Sequence, residues 1–196
     1  MRTLLAAIAV FCLVTQAFAA PAASKVQSKD GAFRLEAKTI SGSDNRFVAS
    51  GNARLFTKDE PNKTTLEVDA QKIVLTVGQQ TAKNKSGMNI QSAELTGPVK
   101  IKYFVTAEND VPTSTIATAD SASFDGATQV INLFGNVQIT YDNPAIFAEP
   151  AVMAGDKAVI HTAPNLDKHQ MRFSVESTNG LSTITAVPKE KEPQTK

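Results

Sequence analysis

Apolar and polar residues alternate through most of this chain. Phe33, Leu35 and Ala37 are separated by Arg34 and Glu36; Leu66, Val68 and Ala70 by Glu67 and Asp69; Val99, Ile101 and Tyr103 by Lys100 and Lys102. Successive side chains of an extended backbone point to opposite faces, so each run has one apolar and one polar side. The alternation predicts strands beginning at Phe33 and over 47–56, 65–77, 115–124 and 129–141, with a strand pair over 90–105. Shorter strands follow over 146–152, 157–161, 171–176 and 181–187. In 65–77 the apolar parity changes between Ala70 and Ile73. A one-residue shift moves side chains to the other face, so a bulge or tight turn is expected near Gln71-Lys72. Turn-forming residues punctuate the chain at 41–45, 59–63, Asp125-Gly126, Asp142-Asn143-Pro144 and Gly155-Asp156, with loops over 78–87 and 107–112. No long helical window interrupts them. The pattern predicts an all-β chain, either a jelly-roll-like sandwich or a short solenoid.

One strand is written more than once. Gly97-Pro98-Val99-Lys100-Ile101-Lys102-Tyr103 returns 38 residues later as Gly135-Asn136-Val137-Gln138-Ile139-Thr140-Tyr141, and Gly51-Asn52-Ala53-Arg54-Leu55-Phe56 is an earlier, weaker copy. Recurrence at this period suggests stacked β-elements rather than a catalytic α/β domain. Pro98 cannot donate to a ladder and marks an edge, a bulge or a strand start.

Composition agrees with strands: ten Phe, two Tyr and no Trp in 196 residues, with abundant Val, Ile, Thr and Ala. The first residues are set apart. A positive start at Arg2, an apolar run over 4–14 and Ala17-Phe18-Ala19 form an export signal over 1–19; the small-residue site favours cleavage over retention as an anchor. Cys12, the chain's one cysteine, lies within that run, so the mature chain has no disulfide and relies on its core. Without Arg2 the basic and acidic counts are equal at 19, and nothing calls for nucleic acid. The expected organisation is a flexible lead-in over 20–30, one β-domain over 31–187 and a disordered charged tail over 188–196.

Candidate chemistry is sparse. Asp69, Asp120 and Glu149 each follow a glycine strand and could be metal ligands or acid–base groups, but no His or Cys clusters with them; solvent-facing residues at strand ends are expected. His161 and His169 are eight apart across a loop, not at the spacing of a helical zinc pair. Asn62-Lys63-Thr64 and Asn84-Lys85-Ser86 have glycan-acceptor spacing, a match that chance often produces. No nucleophile elbow, phosphate loop or cofactor motif is present. Alternation alone does not separate a closed core from an open apolar groove.

The stretches Phe47-Val48-Ala49-Ser50-Gly51-Asn52-Ala53-Arg54-Leu55 and Ile131-Asn132-Leu133-Phe134-Gly135-Asn136-Val137-Gln138-Ile139 resemble the recurring x-G-N-V-x-[ILV] strand of the OstA-like, or LptA-type, family of lipopolysaccharide transport proteins. Asp69-Ala70, Ala119-Asp120-Ser121-Ala122 and Ala148-Glu149-Pro150-Ala151 resemble its A-[DE]-x-A element. Pro98 in place of Asn, Ala53 in place of Val and an insertion over 107–113 depart from the pattern. The resemblance implies a twisted, open-ended β-jelly roll of many short antiparallel strands in the periplasm. It implies a non-enzymatic carrier or bridge, without cofactor, that shields the acyl chains of lipid A and stacks on related domains or on itself. The apolar residues expected to meet acyl chains are Val99, Ile101, Phe124, Leu133, Val137, Ile139 and Phe147; Phe124 and Phe147 are included because a groove mouth would lie near their turns. The alternatives are an anchored LptC-type relative and a structural β-protein with a filled interior.

Overall fold

The computed structural model describes residues 23–78, 89–106, 111–163, 172–178 and 180–190. The expected export signal, Asn84 and His169 lie outside them. Among these residues eleven strands follow in chain order: β1 (Ser24–Gln27), β2 (Phe33–Ala37), β3 (Thr39–Ser43), β4 (Arg46–Asp59), β5 (Thr64–Val77), β6 (Ile90–Thr106), β7 (Pro112–Asp125), β8 (Val130–Asp142), β9 (Phe147–His161), β10 (Phe173–Glu176) and β11 (Thr183–Pro188). They form one antiparallel sheet in the order β1-β2-β4-β5-β6-β7-β8-β9-β10, with β3 paired to β4 and β11 to β9. No helix occurs among the described residues.

The sheet is folded along a line of bulges. Gly51-Asn52 in β4 lie opposite Gln71, Gly97-Pro98 in β6 opposite Asp120, and Gly135-Asn136 in β8 opposite Asp156. Two residues facing one bend a strand and sharpen its twist. The register breaks between Asp69 and Lys72, which is the shift of apolar parity that the sequence shows at Gln71. The glycines are required there. Gly97 has φ +89° and a Cβ on it would sit 2.5 Å from Gln71 Cβ; Gly51 has φ +82° and would meet Lys38 Cβ at 2.8 Å. Asn52 and Asn136 follow at φ 52° and 46°, a region Asn tolerates better than most residues. Gly97 and Gly135 thus leave room for a side chain of the preceding strand, Gln71 and Asp120, and Gly51 for Lys38 just beyond β2.

Each long strand contributes one half to each of two leaves. The first leaf holds β1, β2, β11 and the segments running from the bulges to Asp59, Thr106 and Asp142, with their partners on β5, β7 and β9. The second holds β3, β10 and the remaining halves. Inward residues of both leaves are buried and make one core, from Phe33 and Leu55 through Val99 and Ile139 in the first leaf to Ile73, Leu95, Leu133 and Ile160 in the second. A one-sheet fold can bury its apolar face only by closing on itself. Outward positions carry exposed ion pairs such as Arg54 to Asp69 at 3.1 Å and Lys102 to Glu67 at 3.1 Å, which hold solubility more than stability.

Several expected boundaries change. Residues 90–105 are part of one strand, β6, with Pro98 in its bulge, not a strand pair. Gly155-Asp156 is not a turn: β9 runs through it because β8 pairs on both sides of it. Ser24–Gln27, within the expected flexible lead-in, pair with β2, and Pro188, at the start of the expected tail, pairs with Phe147. In the turn after β7 the positive φ falls on Gln129 at 53°, not on Gly126. Gly126 is needed because a Cβ there would strike the Ile90 carbonyl, while Asp125 Oδ1 accepts from Ala127 N at 2.8 Å and Thr128 N at 3.2 Å.

Candidate functional site

The two leaves join at the bulge line and lay their apolar faces against each other. The far tips of the strands therefore face one another across a seam. In the first leaf these tips are the ends of β4, β6 and β8 and the starts of β5, β7 and β9; in the second they are the end of β7, the start of β8, the end of β9 and β10.

A cavity of about 200 Å³ opens there. The first leaf and its β4–β5 turn line it with Thr57, Asp59, Asn62, Thr64, Leu66 and Tyr103, and the second leaf with Phe124, Gln129, Ile131 and Thr162. Small-molecule pockets are about 300–1,000 Å³, so this space is smaller than a typical ligand site. Its lining mixes polar side chains with the apolar ones of Leu66, Phe124 and Ile131.

Both tyrosines of the chain cross the seam. Tyr103 Oη, from β6, donates to the Thr162 carbonyl beyond β9 at 3.0 Å. Thr162 is itself fixed to the turn after β7, its N donating to Gln129 O at 2.9 Å and its Oγ1 to the same oxygen at 3.0 Å. Tyr141, from β8, packs on Phe173 of β10 with ring centroids 4.9 Å apart and meets Phe147 edge-on at 6.3 Å. Asn143 Nδ2 donates to Tyr141 Oη at 3.0 Å. Tyr103 and Tyr141 are each six residues beyond their bulge glycine, and Thr57, six beyond Gly51, lines the same cavity. The repeat places one such residue at the tip of each glycine strand. The lipid-contact set chosen from sequence omits both tyrosines, although this spacing marks them.

Burial raises the Tyr103 hydroxyl above its ordinary 10.0, with Asp59 adding to the effect; Arg172 and a hydrogen bond with Thr64 act the other way. The hydroxyl therefore stays a neutral donor at physiological pH. A raised folded-state pKa gives stability that is complete below the unfolded value and is lost as pH rises through the folded one. The stability difference between the natural chain and Tyr103→Phe is expected to be constant up to about pH 10 and to shrink above it. Urea unfolding of the two proteins across that range checks this; a difference that shrinks already near neutrality would count against a buried neutral donor.

The expected lipid-contact residues fall into two groups. Val99, Ile101, Leu133, Val137 and Ile139 lie in the shared core, Leu133 and Ile139 at 0% exposure. Phe124 is half-buried and lines the seam cavity. Phe147 is half-buried at the start of β9, against Tyr141. The structure brings the five into one packed interior from both leaves; Phe124 lies at the seam cavity and Phe147 against Tyr141 instead.

The recurring acids do not form a cluster. Asp69 pairs with Arg54, and Asp120 Oδ2 accepts from Asn136 Nδ2 at 2.8 Å across the bulge. Neither stands at a strand end. The residue equivalent to Asp120 in the last hairpin is Asp156, opposite Gly135-Asn136, rather than Glu149, which pairs with Val187. In the first hairpin that position is Gln71, not Asp69. At His161 the backbone carbonyl accepts from Arg172 Nη1 at 3.2 Å. Among the described residues, no group of three or more His, Cys, Asp or Glu is placed to hold a metal ion.

No protein-family model matches this chain, and no curated protein matches it. Among solved structures it is similar to LptH of Pseudomonas aeruginosa, described as the LptA-homologous periplasmic component of the conserved lipopolysaccharide transport device. The TM-score is 0.52 at 12% identity, over 81% of this chain and 95% of that one. A likeness at this identity concerns the fold, which is the LptA-like β-jelly roll.

Proposed function

We propose that this chain is a periplasmic, non-enzymatic carrier that shields the acyl chains of lipopolysaccharide between its two leaves on the way from the inner to the outer membrane. The observation that carries this reading is the single folded sheet. Its inward apolar faces are covered by each other, and a cavity with Leu66, Phe124 and Ile131 among polar side chains opens where the strand tips meet. Hydrocarbon gains about 0.8 kcal/mol per buried CH₂, so a lipid with several chains needs such a slot to cross water. The fold shared with a periplasmic component of a lipopolysaccharide transport device supports the assignment. Val99, Ile101, Leu133, Val137 and Ile139 would line the slot once the leaves part, with Phe124 and Phe147 at its outlet. The proposed partners are related jelly-roll domains of membrane-bound transport proteins or further copies of this chain. Sheet edges at β1, β3, β10 and β11 could extend into them; Ile184 on β11 is 69% exposed although its ladder partner Met153 is buried.

A structural β-protein with a permanently dry interior is the second reading, favoured by the complete burial of Leu133 and Ile139. Mass spectrometry of the protein purified from a lipopolysaccharide-producing cell separates the two. Bound lipid A at near-equal molar amount is expected. Lipid-free protein that also fails to take up lipid A added in detergent would leave only the structural role.

A further inference from the structure

We infer that Tyr103 and Tyr141 form a clasp that holds the leaf tips together, and that an acyl chain reaches the slot sideways, through the seam, when this clasp releases about the glycine line. The inference rests on the lipid-carrier reading and specifies how that site is loaded.

Three features of the fold carry it. First, the cavity of about 200 Å³ at the seam is too small for the proposed cargo, and Leu133 and Ile139 are wholly buried. Loading therefore requires the leaves to separate. Second, the ladder is already interrupted at the bulges in β4, β6 and β8. Rotation there disturbs few strand hydrogen bonds, whereas separation anywhere else would tear a continuous ladder. Third, the seam is held by individually weak contacts. Tyr103 supplies one neutral hydrogen bond to Thr162 and Tyr141 a ring contact to Phe173. Each is of a size that thermal motion overcomes often. The seam also runs along the strand tips, so an open clasp would expose the slot lengthwise and admit a chain without threading it from one end.

Tyr103→Phe keeps the ring and removes the hydrogen bond. It is expected to accelerate uptake of N-phenyl-1-naphthylamine, which fluoresces in apolar surroundings, by about two- to tenfold. Uptake of lipid A should accelerate likewise. A staple gives the opposite test. In a full chain carrying Cys12→Ser, Tyr103→Cys and Thr162→Cys, a short bis-maleimide across the seam is expected to slow lipid A uptake at least about tenfold relative to the unstapled protein. A long flexible bis-maleimide at the same pair should restore uptake, which separates clasping from plugging of the cavity. Circular dichroism confirms that all forms keep their strands. Stapled protein that loads as fast as unstapled overturns the clasp and leaves the carrier intact, as does a Tyr103→Phe chain with unchanged uptake. If the natural chain takes up no lipid A at all, the carrier reading fails and the clasp with it.

Discussion

A Gly97→Val chain is expected to lose about 3–5 kcal/mol of folding stability, a large part of the 5–15 kcal/mol typical of a domain. Two penalties coincide at this position. The backbone sits at φ +89°, where a β-branched residue is strongly disfavoured. The added Cβ would also lie 2.5 Å from Gln71 Cβ, an atom fixed to its own backbone that cannot rotate away. Relief would need β5 and β6 to move apart at the centre of the sheet. The double variant Gly97→Ala with Gln71→Gly resolves the two terms. It removes the collision and keeps the dihedral strain, so it should recover part, not all, of the loss caused by Gly97→Ala alone. Urea unfolding of the four proteins of this cycle reads the coupling. A single-variant loss below about 1 kcal/mol, near the average for any substitution, would show that the bulge line yields freely and does not define the corner.

The corner was legible before its shape was. Alternation through Glu67, Val68, Asp69 and Ala70, followed by a change of parity before Ile73, requires a register break at Gln71, and the break is there. Strand interiors were legible for the same reason, because Val, Ile and Thr on a period of two have few other uses. What failed was the distinction between a turn and a bulge. Gly155-Asp156 has the composition of either, and only the presence of β8 on both sides decides. That information is not local. The seam is less legible still: Tyr103 and its acceptor Thr162 are 59 residues apart, and no periodicity connects them. The apolar face of the slot could be read residue by residue, but whether it is filled depends on the separation of two leaves, which alternation does not encode.

Ile139→Asp is expected to unfold the chain at neutral pH rather than merely empty the slot. Ile139 is at 0% exposure in β8, and its ladder partners Ala117 and Met153 are also buried. Losing the aliphatic side chain costs about 2–4 kcal/mol. Burying a carboxyl without a partner adds several more, since the group must either stay charged in an apolar interior or take up a proton. The sum approaches the whole stability of a domain. The sign of the pH dependence follows. Burial raises the folded-state pKa of the new carboxyl, so the variant should recover toward the natural chain as pH falls to about 4 and below, where the acid is neutral in both states. Phe124→Asp is the instructive contrast, because Phe124 is only half-buried at the seam. That chain should retain its circular dichroism and lose lipid A uptake by tenfold or more. A folded Ile139→Asp protein with normal stability at pH 7 would mean that water already reaches the slot. A folded Phe124→Asp protein with undiminished uptake would remove the seam from the path of the lipid.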